Sequence, residues 1–136
     1  MNESIKPVKM SYYITTQTTM SFEKALERAV DELKKEGFGV ITTIDVKETL
    51  KKKIDVDFRK YLILGACNPV YAHRALSMDD KIGALLPCNI ILQEKENGTE
   101  VSAINPYESM KGILDKDVVE LSKQITDKLS SIIRNI

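Results

Sequence analysis

The chain has 136 residues, 43% of them hydrophobic and 29% charged, the size and balance of one globular domain rather than two. Lys plus Arg and Asp plus Glu number 20 each, and this neutrality argues against the basic surface that most nucleic-acid binders carry. No apolar run approaches the roughly 20 residues needed to span a bilayer, and two cysteines do not make a disulfide framework, so the expectation is a cytoplasmic protein with reduced thiols and no membrane partner.

MNESIKPVKM, residues 1–10, lacks the apolar segment of a secretory signal. It reads as a loose leader before a single domain at 11–136. SYYITTQTT, residues 11–19, is rich in Thr, Tyr and Ile and predicts a strand. Ser21 caps the next element through its hydroxyl. Phe22, Ala25, Leu26, Ala29, Val30 and Leu33 recur at helical spacing, with charged residues between them. Gly37 closes that helix in the left-handed conformation.

FGVITTIDV, residues 38–46, returns as a β-branched strand. Asp45 then caps a short helix, VKETLKKKI, with Val46, Leu50 and Ile54 along one side. The run Lys51-Lys52-Lys53, with Arg59 and Lys60, could form a basic patch; the plainer reading is a solvated helix end. YLILGA, residues 61–66, is apolar throughout and too short for a buried helix, which predicts an interior strand covered on both faces.

Asn68 is a good helix cap, and Pro69 suits the first turn because its missing N–H is not needed there. A helix to about Leu76 follows, then a less regular stretch with a short helical piece before Pro87. CNIILQE at 88–94 and TEVSAIN at 99–105 flank Asn97-Gly98, a dipeptide suited to positive φ at both central turn positions, and so form a hairpin. Pro106 to Leu114 reads as a connector. Asp117 and Glu120 resemble a capping box for a last helix with Val118, Leu121, Ile125, Leu129, Ile132 and Ile133 on its apolar stripe.

The order is thus β-α-β-(short α)-β-α-β-β-α. One stripe per helix and an antiparallel hairpin predict an α+β two-layer sandwich, helices on one face of a mostly antiparallel sheet. A partly polar outer sheet face would suit a homodimer.

YLILGACNP, the Ala-rich helix after it and LLPCNIIL together resemble the domain-of-unknown-function 302 family over residues 12–135. The resemblance implies a two-layer α+β fold of a small cytoplasmic protein and no activity. It carries over Cys67, Asn68, Pro69, Pro87, Cys88 and Asn89; His73 lies outside the family pattern.

Three chemistries compete at the two Cys-Asn motifs. Cys67 precedes a helix N-terminus, where the dipole and free N–H groups favour a thiolate; packed into a tight junction it is only a small hydrophobe. Cys67 and Cys88 fall at the same end of the sheet if their strands are antiparallel neighbours. A reversible disulfide or a redox pair then becomes possible, with Cys67 catalytic and Cys88 resolving. His73, the lone histidine, could join both thiols around a soft metal ion, although no CxxC or HxxxH spacing supports this.

Asn68 and Asn89 hydrogen-bond backbone or, with Cys67 and Cys88, line a small-ligand pocket. The five scattered tyrosines make no stacking platform, and no Gly-rich phosphate loop exists. The sequence names no cofactor. The leading expectation is a small-ligand or metal-binding module near the two motifs; the alternatives are a thiol-dependent redox enzyme or sensor, and an interaction domain whose thiols are core packing.

Overall fold

In the computed structural model, which describes residues 11–136, each predicted segment folds close to its expected bounds; the proposed leader at 1–10 lies outside the described residues. β1 is Tyr13–Thr18, α1 Phe22–Lys35, β2 Gly39–Asp45, α2 Val46–Ile54 and β3 Tyr61–Cys67. α3 spans Pro69–Met78, and a 3-10 turn at Ile82–Leu85 leads to the hairpin β4 Cys88–Lys95 and β5 Gly98–Ile104. α4 is Pro106–Met110 and α5 Lys116–Arg134.

The local signals act as expected at most ends. Ser21 Oγ accepts from Lys24 N at 3.2 Å and Asp45 Oδ1 from Glu48 N at 3.0 Å, so each helix starts where a side chain satisfies an orphan N–H. Gly37 stops α1 at φ 86°. Lys51 pairs with Asp55 and Asp57 at 2.8 and 3.3 Å, all three well exposed, so the lysine run is the solvated helix end.

Three expectations need correction. The last helix is capped by Asp115, whose carboxylate accepts from Asp117 N at 2.9 Å, so Asp117 already lies in its first turn. The connector contains α4, started by Pro106. In the hairpin the two turn residues are Glu96 and Asn97, with Lys95 paired to Gly98. Positive φ falls on Gly98 alone, at 145°, and a Cβ there would run into the Thr18 carbonyl of β1. Glycine is needed at this point to let β1 approach.

The sheet has five strands in the order β1-β5-β4-β3-β2, antiparallel at every step. β4 takes the central place, and β3, the apolar YLILGA run, is interior as predicted, one strand from the edge. Leu64 and Ala66 on β3, Ile90 and Leu92 on β4 and Val101 and Ala103 on β5 are buried with Leu33 of α1 and Leu129 and Ile133 of α5 in one hydrophobic core. α1 and α5 thus cover one sheet face, while α2 buries no residue. The other face is only partly covered: Ile63 and Ile91 are half-buried and Ile44 is 49% exposed.

Asn105, in the second Asn-Pro pair, is fully buried. Its amide donates to Ser11 O at 3.2 Å, and its oxygen accepts from Thr126 Oγ1 at 3.1 Å. Thr126 Oγ1 in turn accepts from Tyr107 N at 3.0 Å. This chain of bonds ties the residues leading into β1, the β5–α4 junction and α5 together, as a buried polar group requires.

Candidate functional site

β3 and β4 are antiparallel neighbours with Ala66 opposite Cys88. Cys67, the last residue of β3, therefore stands one position past Cys88, at the same end of the sheet. Gly65 makes this arrangement possible: a Cβ there would collide with Thr42 Oγ1 and come within 2.8 Å of Pro87 Cγ. With hydrogen at that position, the Pro87 ring lies against β3 and starts β4 at Cys88.

Asn68 fixes the next step. Its side-chain oxygen accepts from Tyr71 N at 3.4 Å, capping α3, while its amide donates to Glu36 O at 3.2 Å. One residue thus joins the start of α3 to the end of α1, where an added Cβ on Gly37 would stand 3.0 Å from Asn68 Nδ2. Both ends of the Asn68 amide are in use.

Beyond this joint, α3 and α5 leave a cavity of about 280 Å³ against the end of the sheet. Phe38, Ala66, Cys67 and Cys88 line it from the sheet side, Tyr71, Ala72, Ala75 and Leu76 from α3, and Val118, Leu121 and Ile125 from α5. Met110 and Ile41 also contribute. Ile41 and Leu76 are 62% and 43% exposed, so they lie on the solvent side of this lining. Small residues from the sheet and α3 meet here, and that leaves the volume. Apart from the thiols, the polar side chains of the lining are Asn68, Tyr71 and Ser122; Ser122 Oγ already donates to Val119 O at 2.6 Å.

Cys88 is buried and Cys67 half-buried, and neither is in a disulfide. Burial pushes the Cys88 thiol up to about 11, and the neighbouring Cys67 adds to the shift, because a second thiolate nearby disfavours the first. The structure therefore brings Cys67, Asn68 and Cys88 to one cavity. It does not bring Asn89, which alternates to the exposed face of β4, or His73, exposed on α3. Among the described residues no cluster of three or more His, Cys, Asp or Glu side chains could hold a metal ion, so the set Cys67, His73, Cys88 does not assemble.

Sequence reasoning missed Phe38, Tyr71 and Met110 as lining residues. Tyr71 was open to detection, since it falls three residues after the cap Asn68 and so on the same helix face. Met110 sat in a segment read as connector. Around Tyr71 two cations gather: Arg74 Cζ lies 5.3 Å and Lys128 Nζ 5.8 Å from the ring centroid.

The fold and this joint define a small α+β domain with a helix-covered antiparallel sheet and a thiol-bearing cavity at its end. The sequence matches the family model "Domain of unknown function DUF302" over residues 14–136, and the chain belongs to that family. It is similar in structure to an uncharacterized conserved DUF302 protein from Bacillus stearothermophilus known from a crystal structure, with 27% identity, a TM-score of 0.85, and coverage of 91% of this chain and 97% of that one. No curated protein matches the chain. Among the described residues no helix is long and apolar enough to cross a membrane.

Proposed function

We propose that this protein is a binding module for a small, largely apolar organic molecule held in the cavity beside the two Cys-Asn motifs. The observation that carries this reading is the cavity itself: about 280 Å³ lined almost wholly by apolar side chains, with its few polar groups mostly engaged. That is near the lower end of small-molecule sites, about 300–1,000 Å³, and has their usual apolar character. An organic ligand suits this lining better than a metal ion does, because His73 is outside it. Two free thiols suit a reducing, cytoplasmic setting.

The test is titration with a neutral naphthylamine fluorophore, whose emission rises in an apolar site. Binding should be saturable in the native chain and lost in Ala72→Leu, whose added side chain occupies the cavity from α3. No saturable binding by the native chain, or equal binding by Ala72→Leu while it stays folded, refutes the reading.

The thiol-redox alternative has less support. Its resolving cysteine, Cys88, is buried with a thiol that stays protonated to about pH 11, and thiol exchange needs a thiolate.

A homodimer through the outer sheet face belongs to the same proposal. Ile44, Ile63 and Ile91 stand in register across β2, β3 and β4. A second copy would bury this row by the self-complementary contact of a two-fold pair. Sedimentation should then show a dimer in the native chain and a monomer in Ile91→Lys. A native chain that sediments as a monomer at tens of micromolar refutes it.

A further inference from the structure

We propose that the cavity's ligand is an amphiphile with a single carboxylate head, its apolar tail in the cavity and its head against Arg74. This rests on the binding reading above and adds the charge of the ligand.

The lining bears no charged side chain, so the part of a ligand enclosed there must be neutral and apolar: an unpaired charge would lose its hydration without compensation. Charge is found at Tyr71, where the lining meets two cations. Arg74 is one turn from Tyr71 on α3, and its guanidinium lies 5.3 Å from the ring centroid. Lys128 reaches the same ring from α5, at 5.8 Å.

The two cations differ in what they already hold. Lys128 Nζ is 3.3 Å from Glu36 Oε1, so its charge is partly answered. Arg74 is exposed and lies over the Tyr71 ring; it takes no part in the ion pairs found among the described residues. Its five N–H donors in a planar fork match the two oxygens of a carboxylate. The carboxylate of Glu36 stands by Lys128, and this repels a second anion from that side and favours Arg74 as the head's partner. A cationic head would meet Arg74 and Lys128 with like charge and be rejected.

The experiment uses the full chain and displacement of the same neutral fluorophore by decanoate, decanol and decyltrimethylammonium, each below its micelle concentration. Decanoate should displace at about one tenth the concentration that decanol needs, the difference expected of a charge-assisted pair at a partly solvated site. Decyltrimethylammonium should be weakest. Arg74→Ala should bring decanoate and decanol to the same midpoint. Arg74→Lys should keep part of the preference, since it keeps charge and loses the fork.

Equal midpoints for decanoate and decanol in the native chain overturn the head-group assignment and leave the apolar site standing. So does an unchanged decanoate preference in Arg74→Ala. Failure of all three to displace, with fluorophore emission equal in Ala72→Leu, overturns the cavity reading as well.

Discussion

Gly65→Ala adds one carbon at the tightest point of the site. The new Cβ meets Thr42 Oγ1 on one side and stands 2.8 Å from Pro87 Cγ on the other. The Thr42 hydroxyl can rotate away, because Thr42 is exposed. The Pro87 ring cannot, because it is rigid and precedes the buried Cys88 of β4. Elsewhere in a strand, Gly to Ala gains roughly 0.4–1 kcal/mol from the unfolded chain. Overpacking against a fixed neighbour costs about 1–3 kcal/mol, so the net is a loss of about 1–2 kcal/mol. For a domain of this size that lowers Tm by roughly 4–8 °C, readable by denaturant and thermal melts followed by circular dichroism. The double variant Thr42→Ala/Gly65→Ala separates the two contacts: it should recover less than half the loss, with the remainder at Pro87. Gly65→Ala as stable as the native chain would refute the argument that Gly65 is required by the approach of Pro87. Full recovery in the double variant would move the cause to Thr42.

Thr126→Val keeps the volume of the side chain but removes the hydroxyl that joins Asn105 Oδ1 and Tyr107 N; the buried site should make it cost about 1–3 kcal/mol by chemical denaturation. Asn68→Ala removes a helix cap and the bond to Glu36 O together, and should cost about 1–2 kcal/mol with weaker fluorophore binding. Alkylation resolved by peptide mass should modify Cys67 in the folded chain and Cys88 only on unfolding; equal rates would contradict the burial of Cys88. The Cys88 thiol is raised from 9.0 to about 11 in the folded chain, so its contribution is complete below pH 9 and is lost as pH rises through 11. Over that window the native chain should lose about 1.4 kcal/mol more per pH unit than Cys88→Ala does; parallel curves would refute the assignment.

The elements were legible because their signals are local. The α1 stripe, the caps Ser21, Asp45 and Asn68, and Gly37 each act within a few residues, and the structure keeps all of them. What escaped depends on partners far along the chain. The role of Gly98 is set by β1, some eighty positions earlier in the sequence, and nothing near Gly98 announces it. Asn105 reads only as the end of the TEVSAIN strand, because its partners Ser11 and Thr126 lie far along the chain. Within the site, both thiols were found by their motifs, while Asn89 was included as the amide of the second Cys-Asn motif at the start of a strand, a position the family pattern shares. Strand alternation sends that side chain to the opposite face, and alternation could have excluded it beforehand once β4 was accepted as a strand.

The cavity exists because facing positions are small. Ala66, Cys67, Cys88, Ala72 and Ala75 meet where the rest of the core places Leu64, Ile90, Leu92 and Leu129. A sequence selected for stability alone would fill such a space, since each buried methylene is worth about 0.8 kcal/mol. Ala72→Leu adds three carbons from α3, and with about half of that area newly buried it should gain roughly 1 kcal/mol and raise Tm by about 4 °C. The same substitution should abolish fluorophore binding. Gain of stability with loss of binding is the pattern expected where packing has been withheld for function. If Ala72→Leu instead melts several degrees lower, the region is already filled by its own side chains, and the space is too narrow to have a ligand as its purpose.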